Sequence, residues 1–364
     1  MTPYIVTFFM LALLSFTQYT KGLKKYKRLF FLFASTYLIL FAGLRQVGVG
    51  ADDFNYYDMF IFKAPDLYDW IFGNFVYDIK DLYMEPGYVF INSFLRVLTN
   101  NYTFLFLTIS FMSVGIASYS YNRYSKYVFL TLLLFFVHTY LYRDMNQIRS
   151  GVAAAIGLFL IAQIYHREHL KVFFTLFIMS LFHIASVTLI FAYFMSFVEL
   201  TRKRAVLAYA GALFLGMIGV SQLLLNIIPG GGYLAMKLYS YTANERYVTA
   251  ISLFDITNVK NSFILFGIIL FWNRLEKVVP YFKTIVLFYL MAVVIRIAFY
   301  DLGVLSARIS TFFGIVEVVI IPYFIYIFRQ KRLITFLIIV YAFLMLYLNL
   351  FVKQGRYPYE LSIF

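Results

Sequence analysis

The chain has 364 residues, of which 63% are hydrophobic and only 13% charged, with a net charge of +14 and no cysteine. Soluble domains run at about half apolar and a quarter charged, so this surface needs lipid as its solvent, and a single all-α, polytopic transmembrane domain over 1–364 is expected. The basic excess sits in short clusters between apolar runs, as membrane topology requires and nucleic-acid binding does not, and the lack of cysteine excludes disulfides and thiolate sites.

The first apolar run, 3–20, has no basic region before it and no small-residue cleavage site, so a retained helix is expected, not a signal peptide. Lys21, Lys24, Lys25, Lys27 and Arg28 follow, which places this turn in the cytoplasm and the N-terminus outside. After a second helix, 29–44, the polar segment 45–85 falls outside. It holds eight of the seventeen acidic residues: Asp52, Asp53, Asp58, Asp66, Asp69, Asp78, Asp81 and Glu85. A loop of that length argues for function. Segment 86–98 contains Arg96 and is too short to span, so it reads as an interfacial helix with Pro86 in its first turn.

Spans follow at 102–121, 127–142 and 147–165. Run 172–198 fits one tilted helix, giving eleven spans, or two short helices turning near His183; two are chosen because that leaves Arg202, Lys203 and Arg204 inside. Further spans at 205–226, 261–273, 282–299, 307–328 and 333–352 bring the count to about twelve. Arg123 and Lys126, then Arg274, Lys277 and Lys283, then Arg329, Lys331 and Arg332 all lie inside in this layout. A second outer loop, 229–260, opens with Pro229-Gly230-Gly231-Gly232 and carries Tyr239, Arg246 and Tyr247.

Six arginines fall on or near the outer side: Arg45, Arg143, Arg149, Arg246, Arg296 and Arg308. The positive-inside bias disfavours them there, and the guanidinium fork binds phosphate bidentately. An outer-leaflet pyrophosphate is therefore the natural ligand, with pairing to the acidic loop as the structural alternative. Asp144 and Gln147 fit a capping box at a helix start flanked by Arg143 and Arg149. Arg308 is expected just ahead of another helix start, so both helix dipoles could face one anion. The loop Arg45…Gly48-Val49-Gly50-Ala51-Asp52-Asp53-Phe54-Asn55-Tyr56 supplies carboxylates and turn glycines. Asp52, or else His183, is the candidate general base. Four scattered histidines argue against zinc, and no metal or cofactor is expected.

These elements resemble the EpsG branch of Wzy-type polysaccharide polymerases. The resemblance rests on Arg45 to Tyr56, Glu85-Pro86-Gly87-Tyr88, Arg143 to Arg149 with its Asp144 and Gln147, Phe182-His183, Arg308 to Phe313, and Tyr357-Pro358-Tyr359. Ala51 stands where the pattern has Thr, and Asp53 where it has an aromatic. The resemblance implies a periplasm-facing glycosyltransferase of the bacterial inner membrane that joins undecaprenyl-pyrophosphate-linked repeat units into O-antigen or a related polysaccharide. Asp52, His183 and Arg308 would then be catalytic. Arg45, Asp53, Tyr56, Glu85, Arg143, Gln147, Arg149, Arg246 and Arg296 would bind substrate. The implied partners are the lipid-linked oligosaccharide, the bilayer and a chain-length regulator protein, with no nucleic acid. A flippase of lipid-linked sugars and a polysaccharide ligase are the rival readings.

Overall fold

The computed structural model describes residues 1–219, 252–352 and 357–362. Among these the regular structure is helical, apart from one isolated antiparallel bridge between Arg45 and Leu361. Five helical runs are long and apolar enough to cross a membrane: Lys24–Gly43, Tyr102–Tyr124, Ile148–Tyr165, Tyr300–Tyr326 and Lys331–Val352. Shorter apolar helices include Thr2–Thr17, Val128–Tyr140, His169–Ser180, Ile184–Met195 and Ile256–Leu270. Among the described residues the protein is all-helical with membrane character, with five full-length spans and further shorter apolar helices where about twelve spans were expected. The 172–198 run is divided by the break at 181–183, and a π turn at Phe136–Tyr140 ends the helix that begins at Val128, whereas the irregular turns at Ile321–Tyr326 and Leu348–Val352 lie within full-length runs.

Segment 45–85 is not an open loop. It contains short helices at Asp53–Asp58, Met59–Lys63, Leu67–Phe72 and Ile79–Leu82. Gly73, at φ 72°, closes the third of these in the left-handed region that glycine enters freely. The next helix, Pro86–Leu98, starts as expected with proline in its first turn after Glu85. The 172–198 run does break at the expected place: one helix ends at Ser180 and the next helical turn begins at Ile184. The expected capping box fails. The Ile148–Gly157 helix starts with Gln147 at the N-cap and no side-chain cap, and Asp144 lies in the turn before it.

The described chain forms two compact units. The first comprises 1–160, 169–187 and 318–364. In it the Lys27–Gly43 helix packs along Tyr102–Tyr124, which packs in turn on Ile148–Gly157. Gly43 permits the first contact, since a Cβ there would sit 2.6 Å from Leu107 Cδ2. Small residues let helix backbones close up where lipid offers no hydrophobic drive. Tyrosine and asparagine side chains then cross-link the helices through backbone carbonyls. Tyr140 donates to Leu38 O (2.6 Å), Tyr323 to Tyr124 O (2.7 Å), and Asn349 to Val137 O (2.6 Å) inside the first π turn. The basic turns meet at one end, where Lys27 Nζ reaches Lys126 O (3.4 Å) and Tyr19 reaches Lys331 O (3.3 Å).

The second unit comprises 161–168 and 188–317. The Arg202–Ile218, Ile256–Leu270 and Gly303–Phe313 helices pack on Phe282–Ala298. Lys283, near the start of that central helix, pairs with Glu199 and Glu276. Arg296, near its end, pairs with Asp255 and with Asn258 Oδ1.

Candidate functional site

The first unit brings three of the sequence elements together: the Arg45–Tyr56 segment, the 143–149 turn and the Glu85–Tyr88 element. Arg45 is fully buried. Its Nε and Nη2 donate to Asp53 Oδ2 (3.2 Å) and Oδ1 (2.7 Å), its Nη1 donates to the Ala42 carbonyl, and its guanidinium lies 4.2 Å from the Phe106 ring centroid. Gly50 N–H adds a third donor to Asp53 (2.7 Å). A buried arginine needs such complete pairing. Both residues were expected to touch substrate. Their donors and acceptors turn inward and fix the loop, so Asp53, which stands where the family pattern has an aromatic, is the counter-ion of Arg45.

The loop lies hard against the 143–147 turn. A Cβ on Gly50 would fall 2.1 Å from Met145 O, which only glycine avoids. Asp52 N–H then donates to Asn146 Oδ1 (3.0 Å). Within the turn, Arg143 is buried and donates to Ser150 O (2.9 Å). Burial lowers its pKa to about 10. Asp144 is buried beside Gly151, and the loss of water raises its carboxyl to about 7 against the opposing effects of a Ser113 hydrogen bond and Arg143. Arg143, expected at the anion site, therefore faces protein.

The Glu85-Pro86-Gly87-Tyr88 element explains itself in the same way. Leu181 O, exposed where its helix breaks, accepts from Gly87 N–H (2.9 Å) and Tyr88 N–H (3.3 Å). A Cβ on Gly87 would meet Leu181 Cβ at 2.7 Å. Glu85 Oε1 accepts from Ile184 N–H (3.2 Å), and its Oε2 pairs with Arg149 Nη1. One carboxylate thus ties the helix break at 181–184 to the arginine on a different helix. The Arg149 guanidinium also lies 6.0 Å and 5.9 Å from the rings of Tyr56 and Tyr88. Burial is the largest influence on the Tyr56 hydroxyl and pushes it up to about 12, with Arg149 pulling the other way. The phenol stays protonated and can donate.

Arg149 and Tyr56 line an open polar cleft of about 400 Å³, together with Asp52, Asn55, Asp58 and Lys63. Lys63 and Asp58 form an exposed ion pair in it, and Tyr83, at φ 55° and largely exposed, stands at its edge. Asn55, Asp58, Lys63 and Tyr83 in the cleft, and Asn146 beside it, are not among the expected site residues. A signal was present for some of these: Asp52, Tyr56, Met59 and Lys63 recur at spacings of three or four, one face of a helical turn. The face becomes visible only with the helical turns at Asp53–Asp58 and Met59–Lys63.

The remaining expected residues lie elsewhere. His183 sits in the helix break next to Ile184, partly buried, and does not line the cleft. Gln147 occupies an N-cap without capping through its side chain. Arg296 and Arg308 belong to the second unit. Arg308 lies within the Gly303–Phe313 helix and not ahead of it, because that helix starts at Gly303. Arg246 and most of the 229–260 loop lie outside the described residues.

The model of the EpsG family matches residues 28–361. The chain belongs to the EpsG family. This EpsG chain is also similar to the amylovoran biosynthesis protein AmsC of Erwinia amylovora, with 24% identity over 288 residues, covering 78% of this chain and 75% of AmsC. No solved structure matches it.

Proposed function

We propose that this EpsG-family protein is a membrane glycosyltransferase of the polysaccharide-polymerase type, acting on undecaprenyl-pyrophosphate-linked repeat units at the outer face of the bacterial inner membrane. The family supports a role in exopolysaccharide synthesis. The single observation that carries the chemistry is Arg149 lining an open polar cleft beside Asp52. In the reaction the acceptor hydroxyl oxygen bonds to the anomeric carbon of the donor, and the bond from that carbon to the pyrophosphate oxygen breaks. The hydroxyl proton passes to a carboxylate, for which Asp52 is the candidate. The departing pyrophosphate gains negative charge, which Arg149 and the Tyr56 hydroxyl are placed to offset. Glu85, Arg45 and Asp53 act as positioning residues, holding the arginine and the loop. Arg308, in the second unit, remains a candidate catalytic residue and Arg296 a candidate for binding substrate.

The test is elongation of a synthetic lipid-linked repeat by purified protein. Arg149→Lys should lower turnover about 100-fold, the scale of losing one charge-stabilising donor. Asp52→Asn should be comparably slow, and His183→Ala should retain most activity. Full activity in both Arg149→Lys and Asp52→Asn would overturn the assignment. Translocation without elongation would mark a flippase, and transfer of a single finished chain onto a lipid acceptor a ligase.

A further inference from the structure

At the opposite kind of surface, the basic end of the first unit, a second cleft of about 440 Å³ is lined by Tyr19, Arg329, Gln330, Lys331, Arg332 and Leu333. Its electrostatics are one-sided. Residues 17–35 and 323–335 together carry Lys21, Lys24, Lys25, Lys27, Arg28, Arg329, Lys331 and Arg332, and no acidic residue at all. Lys331 and Arg332, together with Lys126, lie over aromatic rings here. Lys126 and Lys331 lie 5.4 Å and 5.6 Å from the centroid of the one Tyr326 ring, and Arg332 lies 6.0 Å from that of Tyr19. Tyr19 is itself fixed by Thr335 Oγ1 (2.6 Å) and Lys331 O (3.3 Å). Two ammonium groups on one ring repel each other, and cation–π attraction recovers only about 0.5–1 kcal/mol for each exposed site. Such convergence calls for an anion.

The surroundings say which kind. Directly beyond the basic turn the Lys331–Tyr347 helix exposes Leu333, Phe336, Leu337, Val340 and Leu344. A soluble anion would gain nothing from that apolar face. A phosphodiester with acyl chains would place its charge among Arg329, Lys331 and Arg332 and its chains along the helix, the arrangement by which basic pockets at a membrane surface hold acidic lipids. We infer that this cleft binds the headgroup of an anionic phospholipid from the leaflet surrounding the basic end. The site is independent of the glycosyl-transfer reading and would exist whatever the outer cleft does.

The experiment is a lipid titration of the purified full-length protein in neutral detergent micelles, read by native mass spectrometry. Probes are phosphatidylglycerol, phosphatidylcholine and inorganic phosphate. Phosphatidylglycerol should bind at least about tenfold more tightly than phosphatidylcholine, and should lose at least about tenfold in affinity in the Arg329→Gln, Lys331→Gln, Arg332→Gln triple variant. The single Lys331→Gln variant, expected to lose less, covers the case in which the triple variant fails to fold. The Lys203→Gln, Arg204→Gln variant, at the exposed start of the Arg202–Ile218 helix in the other unit, should bind like wild type. Equal affinity for the two lipids would overturn the proposal. So would undiminished binding in the triple and single variants, an equal loss in the Lys203, Arg204 variant, or inorganic phosphate displacing the lipid at stoichiometric concentration, which would mark a free-phosphate site.

Discussion

Glu85→Gln separates the two functions of a single carboxylate. Glutamine keeps an oxygen for Ile184 N–H, which Glu85 Oε1 accepts at 3.2 Å. It replaces the other oxygen with an NH2 donor facing Arg149. Only the ion pair is lost, and the arginine is left charged against a donor. Leaving a buried charge unpaired costs about 3–5 kcal/mol. The Arg149 side chain keeps 19% of its exposure and Glu85 only 8%, so the cleft can rehydrate part of the guanidinium and the lower end, about 3 kcal/mol, is expected. Arg149→Gln should cost a similar amount by stranding Glu85. The double variant replaces ions with two amides that can bond each other, and should recover about 1–3 kcal/mol of the summed loss. The assay is equilibrium unfolding of the four proteins in mixed micelles by titration with a denaturing detergent. If the two single losses simply add in the double variant, within about 0.5 kcal/mol, Glu85 and Arg149 are not coupled and the description of this site is wrong.

Two further outcomes follow from the same geometry. Gly50→Ala should destabilise by about 1–3 kcal/mol, because its Cβ would meet the backbone carbonyl of Met145, whereas Gly115→Ala, with nothing within 4 Å, should not; thermal unfolding in detergent compares them, and equal behaviour would refute the close contact. Asp144 has a folded-state pKa raised from 3.8 to about 7 by burial. Between those values the native state holds a proton that the unfolded chain releases, so its contribution is complete below about pH 4 and declines by up to about 1.4 kcal/mol per unit as pH rises toward 7. Asp144→Asn should flatten that part of the stability–pH curve, and an unchanged slope would show that Asp144 does not hold the proton.

Composition alone determined that this protein belongs with lipid, because no fold hides so large an apolar share in water, and the residue pattern carried the family. Local rules also held where they were strictly local: Pro86 opens its helix, and the 172–198 run breaks near His183. Tertiary structure decided which polar residues face outward. Arg45, Arg143 and Arg149 look alike in sequence, yet Arg45 spends its fork on Asp53, Arg143 turns to Ser150 O, and only Arg149 lines the cleft. That choice depends on partners dozens of residues away, such as Glu85 for Arg149 and the Leu361 bridge beside Arg45. Hydropathy also could not see the π and 3-10 turns within the apolar runs. At one of them Asn349 donates from another helix to Val137 O, which satisfies a backbone group that a regular helix would have satisfied by itself.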